Sequence, residues 1–262
     1  MTYVMESAAE GARLLQQGEA QPSRARLLRA GVSAGMRVLD AGCGAGAVTR
    51  ELCALVGPAG RVTALDPSPR LLDEARLALA GHANVDFVQA ALPSTGLPGG
   101  QFDLAWSHLV FEHLADPAAA LGELKRLVRV GGKVVVSDVD GNGLLNWPQP
   151  PLVVAGTARV QRALARAGVD LFVGRKLHHL FWSAGLEDLR DWVDPAFAVG
   201  AADARLLADW RTRLETLTPL ALAEFESKAD WEAHTREFLA MLADPGVLKY
   251  GVFITAEGKR GG

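Results

Sequence analysis

From Arg37 to about Asp140, short apolar runs rich in β-branched residues alternate with amphipathic stretches, a pattern that builds parallel strands joined by helices. Five strands are predicted there: Arg37 to Asp40, Arg61 to Asp66, Val85 to Gln89, Phe102 to Ser107 and Gly132 to Asp138. Between them apolar residues recur at helical intervals, as at Leu71, Leu72, Ala75 and Leu79. Upstream, Ala8 to Gln17 has helical spacing, and a second helix from about Pro22 to Ala30 stops at Gly31. Downstream, Gly141 to Pro151 is too rich in Gly, Asn and Pro for regular structure and leads into a helix over Ala155 to Ala167. Lys176 to Ala184 reads as a helix stopped by Gly185, Leu186 to Val193 as a strand, and Ala201 to Leu242 as a long helical region interrupted around Pro219. Leu248 to Ala256 reads as a last strand. The expected organisation is one domain in three parts: an N-terminal helical lid over 1–34, a core over 35–140, and over 141–262 the rest of the sheet with helical insertions for substrate.

Composition narrows the function classes. The 262 residues are 49% hydrophobic and 22% charged, enough for a large core without covalent staples. No apolar run reaches the ~18 residues of a membrane span, and Glu6, Glu10 and Arg13 near the start do not resemble a leader. A cytoplasmic protein without membrane contact is expected. Thirty acidic against 27 basic residues give a net charge of -3, with the basic residues scattered, so nucleic acid is not an expected partner. Cys43 and Cys53 belong to no cluster with metal-ligand spacing, so no metal site is expected.

The chemistry concentrates at the end of the first strand. Val38-Leu39-Asp40-Ala41-Gly42-Cys43-Gly44-Ala45-Gly46 places three glycines between an apolar strand and the helix Ala47 to Leu55. Residues without side chains let the backbone approach a nucleotide-like ligand, and the helix start offers free N–H donors. Gly42, Gly44 and Ala47 also satisfy the pattern of dinucleotide binders, which keeps a nicotinamide-dependent oxidoreductase open. Asp66 closes the second strand 20 residues after Gly46, where a carboxylate can accept from both hydroxyls of an adenosine ribose.

Val38 to Gly46, Asp66, Phe102-Asp103-Leu104, Ser107 to Pro117 with Glu112-His113-Leu114, and Leu127 to Asp138 with Gly131-Gly132 together resemble successive motifs of the class I S-adenosylmethionine-dependent methyltransferases. The pattern is nearest to the broad group of ubiquinone and menaquinone biosynthesis enzymes and natural-product methyltransferases. It covers Gly35 to Asp138 tightly and Gly174 to Leu186 loosely. The resemblance implies a seven-stranded, mostly parallel doubly wound α/β sheet with a helical cap, its last strand inserted antiparallel beside the fifth. It implies S-adenosyl-L-methionine as cofactor. Asp40 would then orient the methionine ammonium, with Ala41, Gly42, Cys43, Gly44 and Gly46 forming the loop beneath the cofactor. Asp66 would hold the ribose, Pro67 and its neighbours would flank the adenine, and Ser107 and His108 would reach the methionine part. His113 falls at a motif position next to the cofactor. Ala91 and Leu92 stand where the group usually places an acid for the adenine amino group; an alanine side chain cannot accept that bond.

Methyl transfer from a sulfonium is an in-line displacement with a good leaving group, so alignment and desolvation can carry most of the catalysis. Where the acceptor holds a proton too tightly a base is needed, and His108, following the fourth strand, is the first choice. His178 and His179 point about 100° apart on one helix, so at most one can face the site. Asp138 and Asp140 read either as substrate contacts or as turn acids. Cys43 is a weak candidate nucleophile. Trp147, Phe172, Trp182, Trp192 and Trp210 all follow the fifth strand, where a substrate pocket or a cap core would use them. The expected activity is methyl transfer to an O, N or C atom of a small aromatic or lipophilic molecule. The alternatives are an NAD-dependent oxidoreductase, disfavoured by the absence of a Tyr-x-x-x-Lys pair, and a protein of this fold that binds S-adenosylmethionine without methylating.

Overall fold

The computed structural model describes residues 23–141 and 145–262. The first predicted helix, Ala8 to Gln17, lies outside the described residues. The second begins the description as α1 (Ser23–Arg29). There follow β1 (Arg37–Ala41), α2 (Ala47–Val56), β2 (Arg61–Asp66), α3 (Pro69–Ala78), β3 (Val85–Gln89), β4 (Phe102–His108), α4 (Pro117–Leu127), β5 (Val128–Val139), α5 (Pro151–Arg166), α6 (Leu177–Ser183), β6 (Leu186–Ala198), α7 (Ala204–Ala221), α8 (Lys228–Ala243) and β7 (Lys249–Arg260).

The seven strands form one sheet in the order β3-β2-β1-β4-β5-β7-β6. The first five pair in parallel; β7 runs antiparallel between β5 and β6, with Val135 opposite Glu257 and Val139 opposite Phe253. This is the predicted doubly wound, mostly parallel architecture. Helices cover both faces, so central strands are apolar throughout: Val134, Val135 and Val136 are all fully buried. On one face Leu121, Leu124 and Leu127 of α4 and Leu177 and Phe181 of α6 pack on Leu39, Ala105 and Val136. On the other, Leu27 and Ala30, with Leu52, Cys53 and Val56 of α2, pack on Val38, Leu104, Trp106 and Val135. α1 is thus seated on the sheet's second core.

The remaining helices make a cap with its own core. Trp231, Phe238, Met241 and Leu242 of α8 pack against Val153 of α5, Leu214 and Ala221 of α7, and Phe225 of the loop between α7 and α8. His234 lies in the middle, ringed by Phe225, Trp231 and Phe238. Gly156 meets it so closely that an added Cβ would fall 2.1 Å from its Nδ1.

Several boundaries correct the sequence reading: β6 runs on to Ala198, β7 to Arg260, and α5 already begins at Pro151. The helix does not break around Pro219; α7 continues to Ala221 and the break is at 222–227. Pro219 sits in the last turn, where few intrahelical bonds remain to be lost. β5 also begins at Val128, ahead of the glycine pair. Gly131 takes φ +74 and the β4–β5 register slips between Phe102 and Leu104, so the glycines make a bulge inside the strand.

Candidate active site

The carboxyl ends of β1, β2, β4 and β5 converge on the glycine loop. The sheet order reverses at β1, with β2 on one side and β4 on the other, which is where open α/β sheets bind ligands. Gly42, Gly44 and Gly46 take φ of 83°, 52° and 88°, the left-handed region open chiefly to glycine. Gly42 and Cys43 donate their N–H groups to the Leu65 carbonyl at 2.7 and 3.0 Å, which ties the loop to β2. Gly46 begins α2 and packs against Ala75 and Leu79, at and just past the end of α3.

Two carboxylates face this loop. Asp66 Oδ2 accepts from Gly44 N–H and Oδ1 from Ser68 N–H, both at 2.9 Å. Asp40 is buried, and its Oδ2 accepts from Thr49 Oγ1 at 2.6 Å. Burial pushes the Asp40 carboxyl up to about 7; the Thr49 bond works against that shift, and the charge of Asp66 adds to it. A cationic group beside Asp40 would relieve the condition that raises it. A sulfonium amino acid nucleoside carries such an ammonium, together with a ribose diol suited to Asp66, so the donor set fits S-adenosylmethionine.

Other predicted residues take defined places. Ser107 is fully buried and donates to the Ala41 carbonyl at 3.0 Å, bracing β4 against the loop. Pro67 is exposed, and its carbonyl accepts from Gln89 Nε2 at 3.4 Å. Ala91 is exposed in the turn after β3, bridged to Ser94, while Leu92 leans on the core. His113 closes a 3-10 turn over Phe111–His113, with Nε2 3.6 Å from Glu112. Burial pushes the Cys43 thiol well up, which removes it as a nucleophile at neutral pH.

His108 ends β4, its Nδ1 3.2 Å from the Ser137 carbonyl. A carbonyl only accepts, so Nδ1 carries the proton there. Burial, reinforced by the charge of Arg26, drives the imidazole down to about 3. At neutral pH it is uncharged and a poor proton acceptor. Phe253 lies 5.8 Å from its ring, and Arg26 stacks on Phe253 at 4.7 Å while pairing with Asp194 at 3.1 Å. These residues pack together beside the end of β4.

Several candidates lie elsewhere. His178 is exposed and bonded to Asp191 at 2.5 Å; His179 stacks on exposed Trp182. Trp147 is 74% exposed, and Trp210 packs edge-on against Phe238 within the cap. Asp140 forms a two-pronged ion pair with Arg175. Residues that sequence reading did not single out are Arg26, Thr49, Val110 and Phe253. A Cβ on Gly42 would meet Val110 Cγ2 at 2.2 Å, so Val110 rests directly on the loop. A hydroxyl in the first turn after a glycine loop was a usable signal for Thr49; nothing local signals Val110.

Comparison with known proteins agrees with this geometry. Residues 39–136 match a methyltransferase domain family. An uncharacterized methyltransferase of Schizosaccharomyces pombe is 31% identical over 184 residues, covering 62% of this chain and 66% of that protein. The ubiquinone/menaquinone biosynthesis C-methyltransferase of Hahella chejuensis is 34% identical over 111 residues, 41% of this chain and 45% of its own length. The chain therefore spans less than two thirds of these relatives. In structure, the phosphoethanolamine N-methyltransferase 2 of Haemonchus contortus, solved with S-adenosyl-L-methionine, superposes over 92% of this chain and 52% of that one, with TM-score 0.57 and 17% identity, a likeness of fold. Residues 39–136 thus carry a methyltransferase domain, and the sequence motifs and sheet order around it are similar to those of class I S-adenosylmethionine-dependent methyltransferases.

Proposed function

We propose that the protein binds S-adenosyl-L-methionine at the glycine loop and transfers its methyl group to an O, N or C atom of a small aromatic or lipophilic acceptor. The observation that carries this reading is the buried Asp40, pushed up to about 7 beside a left-handed glycine loop that Asp66 holds from β2. When bound, the cofactor supplies an activated methyl group on a positively charged sulfur. Asp40 receives the ammonium, Asp66 the ribose hydroxyls, and the chain around Pro67, Gln89 and Leu92 flanks the adenine. Ala91 leaves the adenine amino group to a backbone carbonyl or to water. Ser107 holds β4 at its distance from the loop, and His113 closes the cofactor side of the turn.

His108 orients the acceptor at the end of β4, keeping its proton on Nδ1 toward Ser137. An imidazole held near 3 is too weak to draw a proton from a phenol at neutral pH. The acceptor must arrive as a ready nucleophile, or lose its proton to water as the methyl group moves. Phe253, buried beneath Arg26 and beside His108, backs this end of β4. α1, the described part of the expected N-terminal lid, is seated on the core beside α2.

Calorimetric titration with S-adenosylmethionine, S-adenosylhomocysteine and NAD tests the cofactor. Saturable binding of the first two and none of NAD is expected; binding of NAD alone overturns the reading. Release of S-adenosylhomocysteine with a panel of phenols, quinols and amines then tests transfer.

A further inference from the structure

Asp138, near the end of β5, is fully buried. Its Oδ2 accepts backbone N–H groups from Val110 at 3.1 Å, Phe111 at 2.8 Å and Glu112 at 3.3 Å, and its Oδ1 accepts from Val139 at 2.8 Å. A carboxylate gathering four amides is committed to backbone, which leaves little of it for a substrate. Those three Oδ2 donors are the turn that leaves β4, and the same turn carries Val110 onto Gly42. The turn needs holding. Leu109 sits at φ +57, a conformation that persists for a residue with a side chain only when its surroundings enforce it. The enforcement comes from β5 on both counts: Leu109 N–H donates to the Ser137 carbonyl at 3.0 Å, and Asp138 gathers the next three amides.

We infer that Asp138 is a positioning residue for the cofactor loop: by clamping the amides of residues 110–112 it presses Val110 against Gly42 and fixes the loop in the shape that receives the nucleoside. The consequence for binding rests on the cofactor reading above; the clamp itself does not. The arrangement links β5, which makes no contact of its own with the cofactor in that reading, to the loop after β1.

Hydrogen exchange and calorimetry with S-adenosylhomocysteine, on the whole chain and on Asp138→Ala, Asp138→Asn and Val110→Ala, decide it. In Asp138→Ala the amides of Val110, Phe111 and Glu112 should lose protection by about tenfold or more, and those of Gly42, Cys43 and Gly44 should follow. Affinity should fall by about ten- to a hundredfold, as for loss of hydrogen bonds to a charged group. Asn keeps one oxygen for the three amides but turns an NH2 toward Val139, so Asp138→Asn should recover part of both losses. Val110→Ala should weaken binding while the amides of residues 110–112 stay protected. Glu257→Gln loosens the Lys133 ion pair on the other half of β7 and controls for general destabilisation: it should lower Tm and leave affinity unchanged. Unchanged protection at residues 110–112 in Asp138→Ala overturns the clamp. Affinity within about twofold of wild type in that variant, or an equal loss in Glu257→Gln, overturns its role in binding. If the wild-type protein binds no S-adenosylhomocysteine, the cofactor reading falls and takes the binding role with it, while exchange still decides the clamp.

Discussion

Thr49 Oγ1 reaches back from the first turn of α2 to donate to Asp40 Oδ2 at 2.6 Å, and both residues are buried. The bond spans the glycine loop from the strand before it to the helix after it, so the loop is closed by a side-chain pair as well as by its own backbone. It also fixes which way the carboxylate points, at a position where burial makes its charge costly.

Asp40→Asn keeps an oxygen for Thr49 and removes the charge. Affinity for S-adenosylhomocysteine should fall about 10- to 100-fold, in line with the ~1.5–3 kcal/mol of a hydrogen bond to a charged group. Tm should not fall, because a buried charge has been relieved. Calorimetry and thermal melting check the two halves separately.

The same carboxyl makes binding depend on pH. Its folded value of about 7 stands above the ordinary 3.8, so between about pH 4 and pH 7 the folded protein holds a proton that the unfolded chain has released, and Asp40 withdraws stability as pH rises through that window. A docked ammonium favours the ionised form and expels the proton. Affinity should therefore rise by about tenfold from pH 6 to pH 8, with proton release detectable by titration in buffers of different ionisation enthalpy. In Asp40→Asn the slope should flatten.

Gly42→Ala meets two obstacles: φ of 83° and a Cβ 2.2 Å from Val110 Cγ2. The backbone conformation alone costs roughly 1–2 kcal/mol for a residue with a side chain. A Tm drop of several degrees and loss of cofactor binding are expected. Val110→Ala in the same chain should restore part of both, since the pair is in contact and its effects should not add.

His108, held near 3, stays neutral across pH 5–8. The kcat/KM profile for methyl transfer should show no limb from an imidazole near 6.5, and His108→Asn should lose less than about tenfold. Removal of a true general base costs about 10²–10⁴. A loss in that range, with a limb near 6.5 that vanishes in the variant, would return the base role to His108.

Trp231 is buried in the cap, 5.2 Å from the Phe225 ring, and donates from Nε1 to Thr218 Oγ1 at 3.0 Å. Trp231→Ala should cost roughly 3–5 kcal/mol of stability. S-adenosylhomocysteine affinity at a temperature well below melting should hold, whereas turnover of the acceptor should fall. Equal loss of both would show that the cap also shapes the cofactor site.

Much of this molecule was legible from residue types. β2 and β3 fall on their predicted bounds because alternating β-branched runs end in unambiguous turns at Asp66-Pro67 and after Gln89. The antiparallel place of β7 came from family resemblance; periodicity alone could not have supplied it. Pro219 misled because its local penalty is small in a last turn and the helix is held by packing of Leu214, Leu217 and Ala221. In the candidate site, glycine spacing and the strand-end acid announced the loop. What stayed hidden was contact between distant segments: the meeting of Val110 with Gly42 follows from β1–β4 pairing and the left-handed Leu109, neither of which leaves a mark in a window of sequence. The low proton affinity of His108 was hidden for the same reason, since Arg26 and Phe253 come from the two ends of the chain.

The aromatic cluster around Trp231 shares no residue with the apolar layers on either side of the sheet. On the proposed reading, the portion that chooses an acceptor and the portion that grips the donor are insulated from each other. Repainting the inner walls of one leaves the seat of the other untouched, and a single scaffold of this kind can be retuned to new acceptors by exchanging a handful of side chains among α5, α7 and α8.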